Sequence, residues 1–247
     1  MSSTLDEAVL TIDVDWAPDP AIRFVAEHLI ARGVRATWFI THRSPAIDEL
    51  ERHPELFELG VHPNLLPGST HGHDVESVLS HCMELVPGAR SMRTHGFMQW
   101  TGLLHHVLTR TPIAVDLSVL LPRAPLVSPA RFEWRGRGLL RIPCFWTDDY
   151  EMETTRPGWA LAPLLASTRG LKVFDFHPIH IYLNSSTLEG YQTVKRRVSR
   201  LPEARETDLL SFVQAGAGTR AFFLEVVDHL EVRGPALHIR DIHARCG

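Results

Sequence analysis

Two aspartates, Asp13 and Asp15, lie just after an apolar run at positions 9–12, near the start of the chain. The β-branched residues of this run, with two prolines soon after it, predict a buried strand over residues 9–14. Two carboxylates at the end of a buried strand are costly unless something uses their charge. A metal ion is the simplest explanation, and it would need further ligands.

Histidine is the ligand type that the chain offers most freely, with 15 histidines in 247 residues. Asp15, His62 and a histidine of the following loop would give two imidazoles and one carboxylate, with a position left open for water. Such a set suits Zn²⁺ or a similar divalent ion, which makes water more acidic. His71 is the preferred third ligand because it lies directly before Gly72 inside the loop; His73, next to a predicted helix cap, is the alternative.

Predicted strands and helices alternate along most of the chain. The strands are predicted at 9–14, 35–40, 56–61, 91–93, 113–115 and 171–176, with a hairpin at 132–142 whose turn is 136–138. The helices are predicted at 20–32, 45–52, 74–85, 102–108, 188–199, 207–215 and 220–232. This alternation indicates a parallel sheet covered by helices, with function at the carboxyl ends of the strands. Polar residues fall at or just past these ends and are expected at one rim: Asp13, Asp15, His62, Arg93 and His177.

The composition limits the possible partners. A net charge of −4, with 22% charged and 44% apolar residues, is ordinary for a globular protein and does not favour nucleic acid. No apolar run is long enough for a bilayer, and residues 1–7 lack the basic and apolar parts of a signal peptide. Three scattered cysteines fit a reducing cytoplasm. We therefore expect a cytoplasmic protein with no membrane partner.

The order of the motifs resembles that of the polysaccharide deacetylases of the NodB-homology type, carbohydrate esterase family 4. The resemblance spans about residues 9–181. It differs from the common pattern in two places: a residue is inserted between the two aspartates, and the two histidines lie nine apart instead of four. Both differences resemble a divergent subgroup associated with surface-polysaccharide biosynthesis. The motifs that carry the resemblance are Thr11-Ile12-Asp13-Val14-Asp15, Ala36-Thr37-Trp38-Phe39, Gly60-Val61-His62-Pro63-Asn64 with Ser69-Thr70-His71-Gly72, Arg93-Thr94-His95-Gly96 and Asp175-Phe176-His177-Pro178.

The resemblance implies a fold and a role for each motif residue. The expected fold is α/β, a distorted and incomplete (β/α) barrel, here with a helical extension over 188–247 in a single domain 1–247. The implied roles are Asp13 as general base, Arg93 as the group that orients it, His177 as general acid with His180 as the alternative, Asp15, His62 and His71 as ligands of one metal ion, most simply zinc, and His95, Trp146 and Asp148 as substrate-binding residues. The segment 144–150, which contains Trp146, Asp148 and Asp149, stands where the family has an aspartate and a tryptophan that support the acid histidine and line the pocket. It equally fits a solvated acidic loop with a core tryptophan.

The function implied is a metal-dependent hydrolase that removes an N-acetyl group from an amino sugar or a related soluble biosynthetic intermediate. Water activated by the metal would be the nucleophile. Two other functions remain open. One is hydrolysis of another non-peptide C–N bond, as in a cyclic ureide or a formamide; the other is a non-catalytic sugar-binding domain. The expected partner is a small molecule, and the sequence does not decide the oligomeric state.

Overall fold

A curved sheet of nine strands forms the centre of the molecule in the computed structural model, which describes residues 5–155 and 157–246. The segment expected not to be a signal peptide lies partly outside these residues. The strands are β1 (Ala8–Asp13), β2 (Ala36–Ile40), β3 (Phe57–Val61), β4 (Ser91–Met92), β5 (Val115–Asp116), β6 (Leu126–Val127), β7 (Ala130–Trp134), β8 (Arg137–Arg141), β9 (Trp146–Thr147), β10 (Arg169–Gly170) and β11 (Lys172–Phe176).

The strand order of the sheet is β7-β8-β5-β4-β3-β2-β1-β11-β9, and β6 pairs with β10 in a separate small sheet. Every neighbouring pair of the large sheet is parallel except β7 and β8, which form the predicted hairpin. No described strand pairs β7 with β9, so the barrel is incomplete, as the family resemblance implied. Because the strands are parallel, their carboxyl ends share one rim.

Helices connect the strands and continue after the last of them. They are α1 (Asp19–Arg32), α2 (Pro45–Leu50), α3 (Val75–Leu85), α4 (Thr101–Arg110), α5 (Asp148–Glu153), α6 (Leu161–Ser167), α7 (Pro178–Leu183), α8 (Leu188–Arg197), α9 (Glu206–Leu209), α10 (Thr219–Arg233) and α11 (Ile239–Cys246). Single 3₁₀ turns lie at His95–Phe97, Leu201–Glu203 and Leu210–Phe212. Among the described residues, no helix has the length and apolar character needed to cross a bilayer.

Local signals placed several helix ends correctly. Gly33 ends α1 in the left-handed conformation, with φ of 61°, and Asp74 caps α3 by accepting from the Ser77 amide at 2.8 Å. The helix predicted at 207–215 is instead the short α9 followed by a 3₁₀ turn. The amide of Gln214 donates to the carbonyl of Leu183 at 2.8 Å, which takes the chain out of a helical path.

The hairpin turn also differs from its prediction at 136–138. The strands are joined by Arg135 and Gly136 alone, with φ of 50° and 75°. Positive φ at both central residues is typical of the two-residue turns that match strand twist.

Two apolar layers flank the large sheet. The outer layer lies between the strands and the covering helices, and it includes Trp38, Trp146 and Phe222. The inner layer lies on the opposite strand face and is closed by α11. Its buried members are Val9, Phe39, Val115, Leu117, Leu140, Ile142, Leu171, Val173, Leu237, Ile239 and Ile242. Polar residues occupy this same face toward the carboxyl rim, which is where the candidate site lies.

Candidate metal and acid–base site

The candidate site begins inside the barrel with Arg93, which is fully buried. Side chains alternate between the two faces of a strand, so Thr11 and Asp13 of β1 point to the same side as Asp175 of β11. Arg93 Nη1 donates to Asp13 Oδ1 at 2.8 Å and also to Asp175 Oδ1, while its Nη2 donates to Thr11 Oγ1 at 2.9 Å. One guanidinium thus connects β4 with β1 and β11.

Burial dominates the ionisation of the two carboxylates that share this arginine. Desolvation raises the pKa of Asp13 to about 6, although the charge of Arg93 opposes the shift. Desolvation likewise raises the pKa of Asp175 well above its ordinary value. A carboxyl group with a pKa near neutrality can exchange protons at physiological pH, as a general base must.

Asp15 lies at the centre of the rim, in a left-handed backbone conformation with φ of 45°. Its Oδ1 is 3.0 Å from His62 Nε2 and 3.1 Å from His95 Nδ1. Burial raises the pKa of Asp15, but the charge and hydrogen bonds of His62, followed by His95, outweigh it and hold that pKa well below its usual range. Trp16 follows Asp15 with φ of 53°, so two successive non-glycine residues have positive φ, a costly backbone that is typical of functional sites.

The structure does not place His71, the third expected ligand, with Asp15 and His62. One ligand atom from each of Asp15, His62 and His95 lies within 4.8 Å of the other two, and His71 is not in this group. His71 Nε2 lies 2.8 Å from the carbonyl of Thr41, and its Nδ1 accepts from the Asn64 amide at 3.2 Å. A carbonyl only accepts and an amide only donates, so both ring nitrogens of His71 are already used.

The alternative loop histidine does not replace it. The side chain of His73 is 91% exposed, and its closest charged neighbour is the exposed Asp74 at 3.7 Å. His95, which the resemblance assigned to substrate binding, is instead placed against Asp15. His95 begins the 3₁₀ turn His95–Phe97, which follows β4 and has Gly96 in the left-handed region, and this turn positions the His95 ring.

His177 lies beside this cluster, at the end of β11. Its Nδ1 is 2.6 Å from Asp148 Oδ1, its amide donates to Asp148 Oδ2 at 2.9 Å, and its Nε2 is 3.5 Å from Asp15 Oδ2. Burial lowers the pKa of His177, but the carboxylate of Asp148, with Asp15 and Asp149 behind it, outweighs burial and holds that pKa well above its ordinary value. His177 is therefore held in its protonated form, with Nε2 directed at the rim.

Two predicted substrate contacts are placed elsewhere. Asp148 is fully buried and is engaged by His177, so it supports this histidine and does not line the cavity. Trp146 is 1% exposed and packs on Phe176 and Phe222, with ring centroids 4.9 and 4.5 Å away. Asp149, the remaining acidic residue of this segment, does line the cavity.

His180 is buried one helical turn after His177. Its Nδ1 is 3.2 Å from Ser185 Oγ, and burial lowers its pKa to about 4. His180 is therefore neutral near pH 7, whereas a general acid must be protonated before it can donate its proton.

Asp175 is the buried residue that the sequence reasoning did not assign. It precedes His177 by two positions, so period-two alternation puts both on one strand face, and it pairs in register with Thr11. That register was not readable from the sequence, because it depends on which strand lies beside β1.

A cavity of about 610 Å³ opens over the rim. Asp15, His95 and His177 line one end of it. The opposite wall is formed by α8 and the turn that follows it, both from the helical extension that the family resemblance did not cover. The size is that of a small-molecule site.

This architecture, a parallel incomplete barrel with carboxylates and histidines at its carboxyl rim, defines the chain as a deacetylase-type (β/α) fold. The family model "WbmS-like: Polysaccharide deacetylase" matches residues 10–195. The chain belongs to this family of polysaccharide deacetylases, as the order of its motifs predicted.

Solved structures agree with this assignment. The chain is similar to the crystal structure of WbmS from Bordetella bronchiseptica, described as a polysaccharide deacetylase involved in O-antigen biosynthesis, with 33% identity over 92% of each chain and a TM-score of 0.76. No curated protein sequence matches the chain significantly.

More distant structures of carbohydrate esterase family 4 also match. The peptidoglycan deacetylase PdaC from Bacillus subtilis has 11% identity and a TM-score of 0.48, with 98% of this chain and 91% of that chain covered. BA3943 from Bacillus anthracis, a pseudoenzyme of that family, has 13% identity and a TM-score of 0.46, with 96% and 65% covered. Likeness at this level says nothing about the substrate.

Proposed function

We propose that the protein is a metal-dependent N-deacetylase that acts on an N-acetylated amino sugar. The observation that carries this proposal is the convergence of Asp15, His62 and His95, whose ligand atoms lie within 4.8 Å of one another beside the raised-pKa carboxyl of Asp13. Two imidazoles and one carboxylate, with one position open, are the ligands of a catalytic zinc site.

The spacing of these groups fits a metal ion. Ligand atoms at tetrahedral zinc lie roughly 3.3 Å apart, given bonds of about 2.0–2.1 Å. The distances of 3.0 and 3.1 Å from Asp15 to the two histidine nitrogens are close to this value. The other nitrogen of His62 is buried and lies 3.6 Å from Asp13 Oδ2, too far for a hydrogen bond, so the described residues give it no hydrogen-bond partner.

The chemistry divides between the metal and the side chains. When bound, the metal would polarise the acetyl carbonyl and make water more acidic. Asp13 would take the proton from the attacking water. Arg93 would hold the Asp13 carboxylate in place and favour its ionised form. His177 would give a proton to the leaving amine, and Asp148 would keep its imidazolium charged and correctly turned. His180, with its lowered pKa, is the weaker candidate for the acid.

The substrate class follows from the family. A polysaccharide deacetylase acts on N-acetylated sugars, and the relative WbmS is involved in O-antigen biosynthesis. We therefore propose an amino-sugar intermediate of a surface polysaccharide as the substrate. We also propose that the chain forms one catalytic domain, because α8 lines the site cavity and α11 closes the barrel.

The test combines metal analysis with acetate release. The purified protein should contain about one divalent ion per chain and should release acetate from at least one member of a panel of N-acetyl hexosamines and their nucleotide-linked forms. Formate release, or ring opening of a cyclic ureide, with no acetate would identify the alternative hydrolase. A metal-loaded protein that binds sugars without turnover would identify a non-catalytic member.

A further inference from the structure

The lining of the cavity includes side chains that are not among the proposed metal ligands, base or preferred acid. Three of them are His180, Tyr191 and Lys195. They form a continuous row with His177. The His177 and His180 rings are 5.6 Å apart, the His180 and Tyr191 rings are 4.5 Å apart, and Lys195 Nζ lies 4.6 Å above the Tyr191 ring. The row therefore leads from the proposed acid to a cation.

The ammonium group of Lys195 is available for a ligand. Within residues 5–155 and 157–246, no carboxylate lies within 4.0 Å of it. Lys195 is exposed, and its contact with the Tyr191 ring favours this position without neutralising its charge. Burial raises the pKa of Tyr191 to about 12, so the phenol keeps its proton and can donate a hydrogen bond.

The cavity is polarised between two elements. Asp149 and Glu153 line the side formed by α5, whereas Lys195 is the cation that α8 contributes to the lining. Asp149 Oδ1 already accepts from Thr147 Oγ1 and from the Tyr150 amide, each at 2.7 Å. An anionic group on the substrate is therefore repelled from the α5 side and attracted to the α8 side.

We propose that Lys195, together with the Tyr191 hydroxyl, binds an anionic group carried by the substrate sugar, either a ring carboxylate or a phosphate at the anomeric carbon. This inference rests on the proposed function for the position of the sugar. It makes α8 the element that distinguishes charged from neutral N-acetyl sugars. The neighbouring Arg197, on the same helix, is exposed and does not line the cavity.

The experiment measures binding separately from turnover. The zinc-loaded Asp13→Asn protein, in which turnover should be strongly reduced, is titrated calorimetrically with N-acetylglucosamine, N-acetylglucosaminuronic acid and N-acetylglucosamine 1-phosphate. The ratio of anionic to neutral affinity should fall about five- to tenfold when Lys195→Gln is added. Lys195→Arg should restore most of the ratio, and Arg197→Gln, which removes an equal charge outside the cavity, should leave it unchanged. The sugar whose ratio falls most identifies the anion as carboxylate or phosphate.

The outcomes separate the two proposals. An unchanged ratio in Lys195→Gln, an equal fall in Arg197→Gln, or no binding of any sugar overturns the anionic subsite. If the parent protein still releases acetate in those cases, the proposed function stands without it. If the anionic sugar binds in a Lys195-dependent way but the parent protein releases no acetate from any sugar, the subsite stands and the proposed deacetylase function fails.

Discussion

The barrel interior holds two polar clusters, one at each end. They differ in whether their hydrogen-bonding groups are paired within the protein or face the cavity. The rim cluster consists of Asp13, Asp15, His62, His95 and His177. The floor cluster consists of Thr37, Glu58, Ser91, His238 and Arg240. Both contain carboxylates on inward-facing strand positions, and both are largely buried.

The floor cluster is closed. Glu58 Oε2 accepts from Thr37 Oγ1 at 3.1 Å and from the Arg240 amide at 2.9 Å, while its Oε1 accepts from Ser91 Oγ at 3.2 Å. His238 Nε2 lies 2.9 Å from the carbonyl of Leu56, which attaches the segment before α11 to β3. Each carboxylate oxygen has a donor within the protein, so this cluster has little capacity for a ligand.

The rim cluster is open. His62 and His95 direct nitrogen atoms at the same oxygen of Asp15, and Asp15, His95 and His177 line the cavity. Buried polar groups are normally paired, and groups that converge on one point beside a cavity are accessible to a ligand. The comparison teaches that burial of charge by itself does not mark a functional site in this fold; convergence on accessible space does.

The largest expected effect on turnover is at Asp13, the carboxyl group of the rim cluster that is not a proposed metal ligand. Asp13→Asn keeps the shape but removes the base, so kcat for acetate release should fall about 100- to 10,000-fold. Metal content, measured by mass spectrometry, should remain near one per chain. Wild-type turnover in this variant would exclude Asp13 as the base.

The third ligand offers a sharper contrast between two histidines. His95→Gln should weaken zinc binding about 100-fold or more, as judged by competition with a chromogenic chelator, because an imidazole ligand is lost. His71→Gln is the matched control and should keep its zinc, since both ring nitrogens of His71 are bound to backbone groups. The reverse result would restore the ligand set expected from the sequence.

A variant of Asp148 tests whether this carboxylate supports His177, the proposed acid. Asp148→Asn removes the carboxylate that holds the pKa of His177 high, so His177 would lose its proton at a lower pH. The alkaline limb of the kcat/KM profile should therefore move to lower pH, and the maximum should fall about 10- to 100-fold. A lower maximum with the alkaline limb unmoved would mean that Asp148 acts on packing alone.

The smallest effect is expected in the floor cluster. Burial raises the pKa of Glu58, so its contribution to stability is fully present below the ordinary value of 4.5 and is lost as pH rises through the raised pKa. The free energy of unfolding of the wild type, relative to Glu58→Gln, should therefore decline as the pH rises above 4.5, while acetate release is unaffected. Urea unfolding across this range measures it.

The control for that experiment is Glu55→Gln, which removes the same charge from an exposed position. If Glu58→Gln abolished acetate release instead, the separation between the floor and the rim clusters would be wrong.

Much of the molecule was predictable because its signals are local. Gly33 and Asp74 fixed helix ends, and β-branched runs placed most strands within one or two residues. Asp13, His62 and Arg93 were expected at one rim because parallel strands share a carboxyl edge. The family and the incomplete barrel, both predicted from the motifs, are confirmed.

Other placements depend on groups far apart in sequence. His71 was predicted as a ligand from its position in the loop, and in the structure its Nε2 lies 2.8 Å from the carbonyl of Thr41, 30 residues away. Trp146, which fitted the pocket and the core equally well, packs on Phe222 of α10. The cytoplasmic location and the zinc identity stay predictions.

The sequence by itself determined which residues could do chemistry and at which end of the sheet, because strand periodicity and motif order are properties of the chain. Only the tertiary structure decided which histidine meets Asp15, that Asp175 shares Arg93 with Asp13, and that α8 walls the cavity. These choices depend on strand register, loop path and helix packing, where the competition for a hydrogen bond is settled between residues that are distant in the sequence.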